Sequence, residues 1–233
     1  MANCITRHIP NTLTCLNLFS GCLGGVMAFE ANYEGALLFI MLSALFDFFD
    51  GLAARALNAH STIGKDLDSL ADDVSFGVTP SLVVFSLFKE MTYPAYLMGI
   101  ASMLPYTAFL ISVFSALRLA KFNNDTRQTT SFIGLPVPAN ALFWGSVAVG
   151  LHTWITSACH PLFLLVAVGL FSWLLVSEIP MFSLKFKSLS WKDNKVSFCF
   201  LLLCIPLLLV LRTSGFAAII VWYILLSILC RKK

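Results

Sequence analysis

The chain has 233 residues, of which 58% are apolar and 12% charged, with a mean hydropathy of +0.85. A soluble domain carries about a quarter charged residues, so the apolar excess excludes an ordinary water-soluble globule and points to lipid. The net charge of +3 gives no basis for a nucleic-acid-binding surface.

The N-terminal apolar stretch after Arg7 is interrupted by Asn11, Thr12, Thr14, Asn17 and Ser20, and no small-residue cleavage site follows it. It reads as an uncleaved first membrane helix, not a signal peptide. Apolar segments then recur at 10–29, 34–57, 66–88, 94–120, 136–155, 161–178, 197–211 and 215–230. A span needs about 20 residues. Most segments qualify; the last two are short enough to form a hairpin. The expected fold is an all-α polytopic transmembrane bundle of about eight spans, forming a single domain over residues 1–233.

Lys and Arg set the topology. With the N-terminus in the cytoplasm, the inside holds Arg7, Arg55, Lys65, Arg118, Lys121, Arg127, Lys185, Lys187, Lys192, Lys195, Arg231, Lys232 and Lys233. The outside holds only Lys89 and Arg212, which completes all 15 basic residues. Both termini are therefore expected in the cytoplasm. The seven cysteines form no CxxC pair and the four histidines no HxxxH, so zinc and disulfide frameworks have no support.

The stretch from Asp47 to Thr79 carries six of the twelve acidic residues. Carboxylates inside membrane helices cost about 2.5–3.5 kcal/mol each on insertion scales, so they are functional by default. At about 100° per residue, Asp47 and Asp50 share one face of the second helix with Gly51 and Ala54. On the third helix Gly64, Asp68, Asp72, Ser75 and Thr79 form one stripe, and the short connection makes the two helices neighbours. Asp47, Asp50, Asp68 and Asp72 can then converge. Four like charges in one pocket need cations to coexist, and all-oxygen ligation suits Mg²⁺ or Mn²⁺. Gly51, Ala54 and Gly64 leave room for a flat base or a phosphate, and Arg55 offers a fork to a phosphate. A lone intramembrane Asp would be read as a proton relay or as a partner of Arg55. Asp66 and Asp73 point away from the stripe and read as a solvated loop charge and a helix-flank charge. His60 reads as a loop histidine.

These residues resemble the signature of the CDP-alcohol phosphatidyltransferase family, D-x2-D-G-x2-A-R-x8-G-x3-D-x3-D, from Asp47 to Asp72 with every gap kept. The resemblance implies that Asp47, Asp50 and Asp68 bind a pair of divalent metals. It makes Asp72 both a metal contact and the catalytic base, and Gly51, Ala54, Arg55 and Gly64 contacts of the CDP moiety. The stretches IPNTLTCLNLFSG, DSLADDVSFGVTPS, ALRLAKFN and FIGLPVPAN resemble the phosphatidylserine synthase branch in particular. The implied activity is transfer of a phosphatidyl group from CDP-diacylglycerol to L-serine, releasing CMP. No His or Cys in the signature can serve as a covalent nucleophile, so direct displacement is expected. The implied place is the inner cell membrane, with the active site facing the cytoplasm among membrane lipid and with a homodimer as an open option.

Arg118, Lys121, Asn123 and Asn140 are the acceptor-binding candidates; membrane-flank anchoring accounts equally well for Arg118 and Lys121. Arg127 and the basic stretch 185–195 read as solvated or headgroup-facing. Three alternatives stay open: a sibling enzyme using glycerol 3-phosphate or an inositol phosphate, an intramembrane prenyltransferase, and a transporter.

Overall fold

The computed structural model describes residues 8–59, 62–125, 132–182 and 195–229, and these are all-helical apart from one pair of two-residue strands. Helix α1 (His8–Phe29) and helix α2 (Tyr33–Ala56) pack along each other. The Asn32 side chain caps α2 by accepting from the Gly35 N–H at 3.0 Å. Past the end of α2, Asn58 takes a left-handed φ of 48°. Asn tolerates that conformation better than most side chains, and it stops the helix.

The next rod is continuous but not uniform. Helix α3 (Thr62–Asp72) passes through a π-helical turn (Asp73–Val78) into α4 (Thr79–Glu90). This rod is the centre of the bundle: 61% of its apolar window is buried, against 33% for α1 and 28% for α2. Phe76, Val83, Val84, Leu87 and Phe88 are fully buried on it. In lipid, close packing drives helix association, and small residues permit it. A Cβ on Gly21 of α1 would lie within 2.7 Å of the Ser75 backbone, so only glycine allows α1 this close to the rod.

Among the described residues three helices are long and apolar enough to cross a membrane: His8–Phe29, Tyr33–Ala56 and Ile63–Glu90. Their outer sides carry exposed Phe19 and Phe29, Leu45 and Phe48, and Ile63 and Leu70 respectively, and the chain is an integral membrane protein. The fourth expected segment, 94–120, is helical only in its second half. Residues 95–109 form turns and short 3₁₀ pieces, and α5 (Leu110–Asn124) follows. Pro94 and Pro105 each open a 3₁₀ piece and lack the N–H that would continue a preceding helix, so the regular α-helix of this segment begins only at Leu110. The fifth segment also breaks, into α6 (Val137–Gly150) and α7 (His152–Ser157), followed by α8 (Pro161–Val176).

The last two helices, α9 (Lys195–Leu211) and α10 (Ser214–Leu229), form the expected hairpin, in which Gly215 abuts the Leu207 carbonyl. Strands β1 (Phe132–Ile133) and β2 (Pro180–Met181) pair antiparallel. Gly134, at φ 77°, then brings the backbone against the end of α8, where a Cβ would sit 2.5 Å from the Leu175 carbonyl oxygen. His60 and the basic residues Arg7, Arg127, Lys185, Lys187, Lys192 and Arg231–Lys233, used above for topology or surface readings, lie outside the described residues.

Candidate active site

The helical periodicity of the acidic stretch produces a cluster. One carboxylate oxygen each from Asp47, Asp50 and Asp68 lies within 4.8 Å of the others. Two full charges at that distance repel by about 3 kcal/mol at an effective dielectric of 20. Three together call for a cation, and a set of three carboxylates fits a hard divalent ion. Asp72 is not in this group of three, although it interacts electrostatically with all of its members.

A cavity of about 240 Å³ opens beside the cluster. Asp50, Gly51, Ala54, Arg55, Gly64 and Asp68 line it, so every residue expected at the CDP moiety sits on one wall system. A Cβ at Gly51 would meet only Arg55 Nη1, at 3.7 Å. That glycine therefore leaves space and packs against nothing else.

Sequence reasoning missed the contribution of α1. Thr14 Oγ1 donates to Asp50 Oδ2 at 2.6 Å, and Asn17 Nδ2 donates to Asp72 Oδ1 at 3.1 Å. Spaced by three, Thr14 and Asn17 lie on one face of α1. The Asn17 carbonyl in turn accepts from Ser43 Oγ of α2 and Ser75 Oγ of the π-helical turn, each at 3.1 Å. Thr79 Oγ1 donates to the Gly21 carbonyl at 2.8 Å. The signal was present as polar interruptions of an apolar helix, but it pointed to no partner.

The two other acidic residues differ from one another. Asp66 is exposed, as a solvated charge should be, but it lies within α3 and not in a loop, because the helix starts at Thr62. Asp73 is not a solvated charge on the flank of a regular helix: it starts the π-helical turn of the rod, with Oδ1 buried and lacking a hydrogen-bond partner.

The acceptor candidates separate into groups. Arg118 is 6% exposed, its Nε and Nη2 have no hydrogen-bond partner, and its guanidinium lies 5.0 Å from the centroid of the Phe122 ring. Arg118 and Lys121 line a second cavity of about 320 Å³. Asn123 instead ties α5 to α3: its Nδ2 donates to Ser69 Oγ at 2.7 Å and its carbonyl accepts from Lys65 Nζ at 3.2 Å. Asn140 is fully buried with neither amide atom partnered, and it is not part of that cavity's lining.

Comparison with known proteins adds a separate line of observation. A family model described as CDP-alcohol phosphatidyltransferase matches residues 7–230. A CDP-diacylglycerol–serine O-phosphatidyltransferase of Bacillus subtilis (strain 168) is 40% identical over 132 residues, covering 57% of this chain and 70% of the relative. A protein of the same description from Mycobacterium tuberculosis (strain ATCC 25618 / H37Rv) is 30% identical over 238 residues, covering 95% of this chain and 76% of the relative. An archaetidylserine synthase of Methanothermobacter thermautotrophicus is 34% identical over 137 residues. That match covers 58% of this chain and only 54% of the relative.

Proposed function

We propose transfer of a phosphatidyl group from CDP-diacylglycerol to L-serine as the reaction of this chain, which belongs to the CDP-alcohol phosphatidyltransferase family. The observation that carries the reading is the Asp47, Asp50 and Asp68 cluster opening onto a cavity walled by Gly51, Ala54, Arg55 and Gly64.

In this reading Asp47, Asp50, Asp68 and Asp72 would hold two divalent cations, Mg²⁺ or Mn²⁺. When bound there, the cations supply Lewis-acid neutralisation of the diphosphate and of the CMP leaving group. Arg55 takes a phosphate oxygen, and the small residues Gly51, Ala54 and Gly64 leave room for the nucleotide. Asp72 accepts the proton of the serine hydroxyl, whose oxygen attacks the lipid-side phosphorus in line. The phosphorus–oxygen bond to CMP breaks as the new bond to serine forms. Asn17 fixes one oxygen of Asp72, which leaves the other for the proton.

Purified protein given CDP-diacylglycerol and a divalent cation is expected to release CMP with L-serine and to form phosphatidylserine. Release with glycerol 3-phosphate or inositol phosphate, and none with serine, overturns the choice of acceptor.

The site belongs at the cytoplasmic face of the inner membrane in this reading. Asn58 and Thr92 flank opposite ends of the rod Ile63–Glu90, which at 1.5 Å per residue is about 40 Å long. With the native cysteines replaced, Asn58→Cys is expected to label from the cytoplasm and Thr92→Cys from the other side. Labelling of both from one side contradicts the orientation.

A further inference from the structure

The end of the bundle opposite the carboxylate cluster carries two adjoining cavities that the transfer reaction does not use. From Asp68 to Lys89 the rod rises about 32 Å, so the two lie toward the other membrane surface. The first, of about 430 Å³, is a groove between α1 and the rod. Gly21 and Gly25 of α1 and Val74, Val78 and Leu82 of the rod line it. The second, of about 290 Å³, follows along the rod and is lined by Phe85, Ser86, Lys89 and Glu90. Phe29 lines both, and its neighbour Glu30 lines the groove.

The two cavities differ in character. From Leu82 to Val74 the groove runs about 12 Å, which fits within one leaflet of a hydrocarbon core about 30 Å thick. Its rod-side wall is apolar apart from Thr79, whose hydroxyl is engaged by the Gly21 and Val74 carbonyls. The second cavity is polar where the first is not. Ser86 is 6% exposed, and its hydroxyl has no hydrogen-bond partner among the described residues. So deeply buried a hydroxyl is costly unless an occupant of the cavity supplies the partner. Lys89 follows one turn later on the same face of the helix, with the Phe85 ring 5.6 Å from its ammonium. The Glu30 carboxylate also has no partner among the described residues. Glu90 is engaged: it accepts from Tyr33 Oη at 2.6 Å and meets His152 Nε2 at 2.7 Å, which locks α2, α4 and α7 together.

We propose that the two cavities together hold one phospholipid of the leaflet opposite the carboxylate cluster, with a tail in the groove, its phosphate on Ser86 and Lys89, and a headgroup ammonium on Glu30. The polar groups lie toward the membrane edge and the apolar groove toward its centre, which is the order of parts in a lipid of that leaflet. The charges select the headgroup. Lys89 and Glu30 match a phosphate and an ammonium, whereas a headgroup that is only anionic brings its charge against Glu30 and Glu90 with nothing to pair them. The bound tail fills the seam where Gly21 and Gly25 bring α1 onto the rod, one turn below Asn17. The site stands apart from the transfer reaction and rests on no step of it.

Native mass spectrometry of the purified full chain in detergent tests this, with phosphatidylethanolamine and phosphatidylglycerol of the same acyl chains as the probes. Phosphatidylethanolamine is expected to bind saturably as one equivalent, about tenfold more tightly than phosphatidylglycerol. Lys89→Gln and Glu30→Gln, both at exposed positions, are each expected to weaken phosphatidylethanolamine binding about tenfold, as the loss of one charge-assisted hydrogen bond does. Glu30→Gln is also expected to abolish the preference over phosphatidylglycerol, because the ammonium loses its partner. Val26→Trp, at a half-exposed position lining the groove, is expected to weaken both lipids alike by obstructing the tail. Should Val26→Trp fail to fold, the two charge variants carry the comparison. Equal binding of both lipids by the wild-type chain and by every variant means annular lipid only and overturns the site. Tighter binding of phosphatidylglycerol, or a wild-type chain that carries no lipid, overturns it as well.

Discussion

Asp72→Asn is expected to lower the rate of CMP release by roughly 10²- to 10⁴-fold, the range for loss of a general base. The amide keeps the shape of the carboxylate but cannot accept the proton of serine. The structure gives this prediction a second arm. Asp72 Oδ1 is held by Asn17, and the Asn17 carbonyl is itself held by Ser43 and Ser75. Asn17→Leu leaves the carboxylate in place but loosens it, and it is expected to cost about tenfold in rate, the worth of one charge-assisted hydrogen bond. Both variants are expected to keep the KM for CDP-diacylglycerol within a few-fold, because the proposed nucleotide contacts Gly51, Ala54, Arg55 and Gly64 lie on α2 and the start of α3. Full activity in Asp72→Asn removes the base from the mechanism. A large rise in the KM for CDP-diacylglycerol instead places Asp72 chiefly among the groups that hold the donor.

What the sequence made legible follows from helical periodicity. Residue spacing alone predicts which faces Asp47, Asp50 and Asp68 occupy, but α2 and α3 hardly touch each other directly: both pack on α1, which brings the two faces together. The contacts of α1 were not legible in the same way. Thr14 reaches a partner 36 residues away and Asn17 one 55 residues away, so each depends on how two helices pack. Gly21 decides that packing by letting the Ser75 backbone approach. The break at 95–109 has a local cause in Pro94 and Pro105, which hydropathy does not weigh. The π-helical turn is invisible to any count of residues per turn, and it moves Asp73 from the flank of a helix to the interior of a rod. Around Arg118 the basic residues share α5 and could be grouped in advance. Glu178 joins them only because the end of α8 packs against α5, where Lys121 reaches the Val176 carbonyl.

Removing divalent cations with a chelator is expected to abolish CMP release, and Mg²⁺ or Mn²⁺ to restore it. The argument is electrostatic. Three carboxylate oxygens within 4.8 Å of one another repel pairwise by about 3 kcal/mol when all are ionised. Over the three pairs that is about 9 kcal/mol, and the hydrogen bond from Thr14 to Asp50 offsets only a minor part of it, roughly 1.5–3 kcal/mol for a charged acceptor. Arg55 lines the cavity beside Asp50 and Asp68, but a single cation leaves net negative charge in the cluster. A bound cation relieves the repulsion in the folded chain and has no comparable site in the unfolded one, so it also raises the melting temperature. This gives a readout apart from activity. Adding Mg²⁺ or Mn²⁺ to the chelated protein is expected to raise Tm in a concentration-dependent way. Asp50→Asn and Asp68→Asn are expected to remove most of that rise, and the same substitution at the exposed Asp66 is expected to leave it intact. Wild-type protein that keeps full activity in excess chelator, with a Tm indifferent to added cation, would show that the cluster is not a metal site.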